Sequence, residues 1–159
     1  MIFKHISLTV LICSLFAGTS LLAQQPIPTF AFQTLDGKPF DHTQVDLRRP
    51  AVIIRFDPYC DHCEQQAAWI AGAAASFKDI QLIFVSFIDE PEAIASFQQR
   101  YFGKTDLPLL HFLRDPDYQF EEFFGYTNDA LNIYLYKPGQ KRLKYFGHEQ
   151  EAATLLKFL

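Results

Sequence analysis

Two cysteines stand three positions apart in the run Phe56-Asp57-Pro58-Tyr59-Cys60-Asp61-His62-Cys63. Two intervening residues on the first turn of a helix bring such a pair of sulfurs close enough to join or part with little backbone movement. Joining releases two electrons and parting takes them back, so the pair can serve as a reversible electron store. A loop this small closes too little chain to staple a fold, which makes structural crosslinking a poor account of it. A thiol at a helix N-terminus faces unsatisfied backbone N–H groups and the positive end of the helix dipole, which favour its thiolate. Cys60 is therefore the expected attacking sulfur. Cys63, further into the helix and better shielded, suits the resolving role.

The residues between and beside the sulfurs pull in different directions. His62 within the motif favours the thiolate and hence the reduced pair, making the disulfide more oxidising. Asp61, next to Cys60, disfavours a second negative charge there. Three other readings stand beside the redox one. The cysteines could be buried small hydrophobes. They could belong to a structural zinc site, but that needs four ligands, and the sequence has no second Cys-x-x-Cys and no close His pair. They could carry a metal such as copper with the help of a distant His.

The chemistry needs a strand that ends at the motif and a helix that starts there. Ala51–Phe56 (AVIIRF) is a nearly continuous apolar run, the pattern of a strand buried on both faces. Cys60–Phe77 has helical length, with Cys63, Ala67, Ile70, Ala74 and Phe77 on one stripe. Thr29–Leu35 alternates and ends at the turn signal Asp36-Gly37, and Ile80–Ile88 reads as a second buried strand. Asp89-Glu90-Pro91-Glu92 opens a helix to about Tyr101, with Asp89 as its cap. His111–Arg114 is a short strand, and Asp115-Pro116-Asp117 starts a short helix through Phe124. Leu131–Tyr136, the turn Pro138-Gly139 and Arg142–Phe146 form an antiparallel hairpin, and Glu149–Phe158 closes the chain as a helix. Strands alternating with helices, then a hairpin and a helix, imply an α/β sandwich with a mixed central sheet.

Composition agrees with one folded domain. The chain has 159 residues, 49% hydrophobic and 20% charged, with 17 Phe and 7 Tyr to fill a core. A net charge of −4 argues against a nucleic-acid binder, which needs a basic face. Residues 1–23 read as a secretory signal. Lys4 and His5 precede the apolar stretch Ile6–Ala17, Gly18-Thr19-Ser20 breaks it, and Ala23 offers a small residue at the cleavage point. The expected mature domain, 24–159, then keeps only Cys60 and Cys63, in an exported setting where disulfides persist. It contains no apolar run long enough to span a membrane.

The Phe-x-x-Tyr-Cys-x-x-Cys segment, the early turn Leu35-Asp36-Gly37-Lys38-Pro39-Phe40 and the late Pro138-Gly139 hairpin resemble the thioredoxin superfamily, in particular its exported thioredoxin-like and redoxin-like thiol–disulfide oxidoreductases. The resemblance runs from about Pro26 to Leu159. It implies a thioredoxin-like three-layer α/β/α sandwich, with Cys60 as the attacking sulfur and Cys63 as the one that releases the mixed disulfide. It also implies thiol or disulfide protein substrates, a membrane or periplasmic redox partner, and no cofactor or metal beyond the disulfide itself.

The departures from that family are equally specific. Tyr59 replaces the usual Trp before the first cysteine and can still shield the sulfur. Ile54 stands where thioredoxin has a buried acid, and Gln66 where the cytochrome-maturation branch has Glu. Asp57 and Glu64 are the remaining candidates to receive the proton of Cys63. The family's cis-proline falls near Ala130 in Thr127-Asn128-Asp129-Ala130-Leu131, where there is no proline. A non-proline cis bond costs about 2.5–4 kcal/mol, so a trans bond or an altered loop is expected. Asp129 and Ala130 become the candidate substrate loop. A peroxiredoxin-type peroxidase would want Thr where Asp57 stands, and a redox-inactive adaptor is the other alternative.

Simpler explanations cover the other conspicuous residues. His42, His111 and His148 have no ligand-like spacing and read as surface or hydrogen-bonded side chains. Trp69 reads as packing, and Asp115 and Asp117 as helix caps. Arg48-Arg49 and Lys141-Arg142-x-Lys144 read as solvated faces. Tyr118, Phe120, Phe123, Phe124 and Tyr126 read as a core stripe.

Overall fold

A computed structural model describes residues 26–159 apart from 126 and 140. The signal assigned to residues 1–23 lies outside them, as does Tyr126. Seven strands form one sheet in the order β2-β1-β5-β4-β3-β6-β7. They are β1 (Ala31–Thr34), β2 (Pro39–Asp41), β3 (Ala51–Phe56), β4 (Gln81–Ser86), β5 (Leu110–Arg114), β6 (Asn132–Lys137) and β7 (Lys141–Phe146). The central β3, β4 and β5 run parallel, and β1, β2, β6 and β7 add antiparallel pairings on either side. The helices are α1 (Asp61–Gly72), α2 (Pro91–Phe102), α3 (Phe120–Phe124) and α4 (Ala152–Leu156).

Alternation along the strands divides the core between the two faces of the sheet. Val52, Ile54 and Phe56 of β3 join Cys63, Ala67 and Ile70 of α1, Ile94 and Phe97 of α2, and Leu155 of α4. Ala51 and Ile53 face the other way, with Phe30, Phe32, Tyr134 and the α3 residues Phe120 and Phe124. Helices thus cover both faces, giving the expected three-layer thioredoxin-like sandwich. All six residues of β3 and all six of β4 are buried, as their apolar runs require. Aromatic rings weld the first face: Phe84 stacks on Phe112 at 4.8 Å between centroids, and Phe56 meets Phe97 at 4.9 Å.

Several boundaries differ from the sequence reading. The stretch Cys60–Phe77 is not one helix: α1 stops at Gly72, and Ala74–Phe77 continues as a tighter 3-10 turn. The stripe survives the change, because Phe77 is still fully buried. Asp89 does not cap α2. Its carboxylate instead takes a hydrogen bond from Arg114 at 2.9 Å, and Glu90 occupies the cap position without a side-chain cap bond. Pro91, which needs no N–H partner there, starts the helix. The three-residue strand β2 is too short to show a period in sequence, and α4 is shorter than Glu149–Phe158. Asp115 caps α3 from a distance, its carboxylate accepting the N–H groups of Gln119 (2.9 Å) and Phe120 (2.7 Å). Tyr118, in the core stripe by sequence, is 68% exposed and has a φ of 55°, a left-handed conformation uncommon outside glycine. That turn throws its ring away from buried Phe120 and Phe124.

Candidate functional site

The cysteine pair sits at the seam between β3 and α1. Strand β3 ends at Phe56. Asp57 then makes a tight turn: its Oδ1 accepts the Tyr59 N–H at 2.8 Å and its carbonyl accepts the Cys60 N–H at 3.2 Å. Pro58 fixes φ inside the turn. Cys60 becomes the N-cap of α1, with extended backbone (φ −94°, ψ 122°), and its carbonyl takes the Glu64 N–H at 3.0 Å. It makes no side-chain cap bond, so its sulfur is not committed to the helix.

Both cysteines are free thiols, Cys60 partly exposed and Cys63 fully buried. Cys60 adjoins Cys63 and is one of the groups that raise its pKa. The Asp57 N–H points at the Cys63 sulfur from 3.5 Å. Burial nonetheless pushes the Cys63 thiol far up, and the adjoining Cys60 and Asp57 add to the shift. Burial thus favours the protonated thiol at Cys63. Neither sequence candidate for its proton touches it through a side-chain oxygen. The Asp57 carboxylate is engaged by its own turn, and Glu64 pairs with Arg100 at 2.8 Å.

A pocket of about 160 Å³ opens over Cys60, lined by His62, Asp129, Ala130, Leu131, Gly147, His148 and Glu149. The fold therefore brings Cys60 and His62 together with Asp129 and Ala130 from two segments, and Gly147, His148 and Glu149 add a third. His62 Nδ1 lies 3.1 Å from Glu149 Oε1, tying the start of α1 to the loop after β7. Fully buried Gln66 reinforces that tie by accepting the Gln150 N–H at 2.7 Å. Tyr59 goes elsewhere. It is 64% exposed, its hydroxyl donates to Glu90 at 2.5 Å, and it lines a separate cleft of about 520 Å³ beside α2. Asp61 is exposed on the first turn of α1.

Sequence reasoning missed His148, Glu149 and Gly147, which no spacing rule connects to a motif more than eighty residues earlier. It also passed over Arg55. That side chain is 8% exposed, donates to the Asp129 carbonyl at 2.7 Å and to Glu121 at 3.1 Å, and lies 4.0 Å over the ring of Phe87. The one available signal was a lone cation inside an otherwise apolar strand. No cis peptide bond occurs among the described residues, as expected for a loop without proline at 130. No group of three or more His, Cys, Asp or Glu is arranged to hold a metal among them. No helix among them is long and apolar enough to cross a membrane.

Fold and site together define a thioredoxin-like domain carrying a closely spaced cysteine pair at a strand-to-helix junction, a setting for thiol-exchange chemistry. Residues 23–146 match the AhpC/TSA family, and the chain belongs to that family. No curated protein matches it. Among solved structures it is similar to a secreted Mycobacterium tuberculosis disulfide oxidoreductase homologous to Escherichia coli DsbE, with 19% identity and a TM-score of 0.67 over 82% of this chain and 96% of that one. It is similar to M. tuberculosis DsbF, at 23% identity and a TM-score of 0.67 over 81% and 91%. A SCO1/SenC family lipoprotein from Bacillus anthracis also superposes, at 19% identity and a TM-score of 0.64 over 85% and 93%. At these identities the likeness establishes the fold, and the chemistry has to be argued from the site.

Proposed function

We propose that this protein is an exported thiol–disulfide oxidoreductase acting on protein substrates through Cys60 and Cys63. The observation that carries the reading is the asymmetry of the pair: one sulfur borders an open pocket, and its neighbour three positions on is buried, which favours its protonated form. That is the arrangement an attack-and-resolve mechanism requires.

In the reducing direction the Cys60 thiolate attacks one sulfur of a substrate disulfide. The substrate S–S bond breaks, its other sulfur leaves with the bonding pair and takes up a proton, and Cys60 is left in a mixed disulfide. Cys63 then loses its proton as it attacks the Cys60 sulfur. The mixed disulfide breaks, and the second substrate thiol departs. Two electrons have passed to the substrate, and Cys60–Cys63 is a disulfide that a membrane or periplasmic redox partner resets. The oxidising direction reverses each step. The two sulfurs carry the electrons, so the cycle needs no organic cofactor. Asp61 and His62 modulate the pair, and Asp129 and Ala130 meet the substrate.

Export rests on the signal read in residues 1–23, which leaves 24–159 as the mature domain. The secreted M. tuberculosis relative has the same fold. A peroxidase is the weaker reading: Asp57 occupies the position where that chemistry wants Thr, and no arginine lines the pocket over Cys60. The test is turnover of a protein disulfide with a dithiol reductant. Wild-type protein is expected to turn over, Cys60→Ser to abolish activity, and Cys63→Ser to trap a mixed disulfide visible by mass. Micromolar peroxide consumption that depends on Cys60, without disulfide turnover, would reverse the ranking.

A further inference from the structure

The loop facing Cys60 has an unusual distribution of hydrogen bonds. Every backbone polar group of Asp129 is already used inside the protein. Its N–H donates to Thr127 Oγ1 at 3.1 Å. Its carbonyl accepts Arg55 Nη1 at 2.7 Å and Asn132 Nδ2 at 2.8 Å, which occupies both lone-pair directions. Asn132 is fully buried and is itself oriented by the Tyr145 hydroxyl, which donates to its Oδ1 at 2.7 Å. Arg55 is a buried cation on the central strand, held by Glu121 and the Phe87 ring. A carbonyl gripped by two such donors is fixed in direction.

The next peptide plane follows from that grip. In a trans peptide the C=O and the N–H that share a plane point opposite ways. The Asp129 carbonyl points inward to Arg55 and Asn132, so the Ala130 N–H points outward, and Ala130 lines the pocket over Cys60. That N–H has no hydrogen-bond partner among the described residues. A proline at this position would have none to offer.

We propose that the Ala130 N–H is a binding donor for a main-chain carbonyl of the substrate next to its reactive sulfur, and that Arg55 is the positioning residue that aims it. The loop then offers a donor without a matching acceptor at Asp129. It takes a single peptide carbonyl across the pocket and does not pair with a substrate strand through residue 129. The preferred substrate is a disulfide borne on a peptide chain, and a small disulfide without an amide carbonyl gains nothing from this loop. The inference rests on the exchange chemistry proposed above for its consequence in turnover, but the hydrogen bond can be observed without any exchange.

Two measurements test it. The first compares kcat/KM for a short disulfide-cyclised peptide and for bis(2-hydroxyethyl) disulfide, which has no amide. The peptide-to-small-disulfide ratio is expected to fall about tenfold in Ala130→Pro, the loss of one hydrogen bond felt in the transition state. Arg55→Lys, which keeps the charge but loses the guanidinium fork, should lower the ratio in the same sense, and Ala130→Gly, which keeps the N–H, should retain it. A ratio unaltered in Ala130→Pro overturns the proposal. The second follows the Ala130 amide by NMR as the S-methylated, non-reacting peptide is added to the reduced protein. A downfield shift of that amide proton is expected, and an unmoved one at saturating peptide overturns the donor role. Absence of turnover on both disulfides, with the amide shift present, would count against the exchange reading and leave the donor in place.

Discussion

The backbone N–H of Asp57 points at the buried sulfur of Cys63 from 3.5 Å, joining the end of β3 to the first turn of α1 through the less accessible of the two thiols. The contact sits where the chain turns from strand to helix. It ties the position of Cys63 to the same turn that leaves Cys60 at the mouth of the pocket. One sulfur is open and the other is stored.

The two thiols should therefore differ sharply toward an alkylating reagent. In the folded protein, iodoacetamide is expected to modify Cys60 at least about tenfold faster than Cys63, because the latter is buried, which favours its protonated form. Timed alkylation with peptide mapping reads this directly. Equal rates in the native protein, or faster loss of Cys63, would contradict the arrangement.

Gln66 is expected to carry stability that its sequence position does not advertise. Its Oε1 accepts the Gln150 N–H in a fully buried setting, fastening the loop after β7 beside the pocket. Gln66→Ala leaves that backbone donor unsatisfied and should cost about 1–2 kcal/mol in urea unfolding, with little change in m. A substitution neutral within error would show that solvent reaches the site.

Burial lowers the readiness of His111 to accept a proton below its ordinary value of 6.5. The unfolded chain then binds the proton more readily than the folded one. Stability from this residue is full above about 6.5 and is lost as pH falls through the depressed folded value. His111→Gln should flatten the stability profile on the acidic side of neutrality, as measured by thermal unfolding between neutral and weakly acidic buffers. A profile of unchanged slope in the variant would assign the dependence to other groups.

Asp115 shows the opposite sign for an acid. Burial raises its carboxyl above the ordinary 3.8, outweighing the two N–H groups it caps. Its contribution is largest below that ordinary value and declines as pH rises through the raised one. Asp115→Asn keeps an acceptor for α3 without the buried charge and should remove that decline. Asp115→Ala loses the cap altogether and should cost about 1–2 kcal/mol. Equal stability of the two variants near neutral pH would mean the cap bonds contribute little.

Much of this architecture is written locally in the chain. Ala51–Phe56 and Gln81–Ser86 lie between helices on both faces, so each is mostly apolar and legible as a buried strand. The cysteine motif is legible because its chemistry depends on spacing alone. What the sequence hides depends on distant pairings. The break after Gly72 and the diversion of Asp89 to Arg114 are decided by neighbours outside each segment. The pocket's far wall is hidden for the same reason. His148 and Glu149 reach Cys60 only because β7 ends beside α1, and Arg55 looks like a flaw in an apolar strand until the Asp129 loop is seen folded over it.

The central claim is that Cys60 and Cys63 form one reversible redox couple. The direct measurement is equilibration of the protein against glutathione buffers of graded potential, with free thiols counted by mass tagging. The account predicts a single two-electron transition in which both tags are lost together and regained on reduction. Two thiols that stay free across the whole range, or a Cys60–glutathione adduct that Cys63 never resolves, would contradict it.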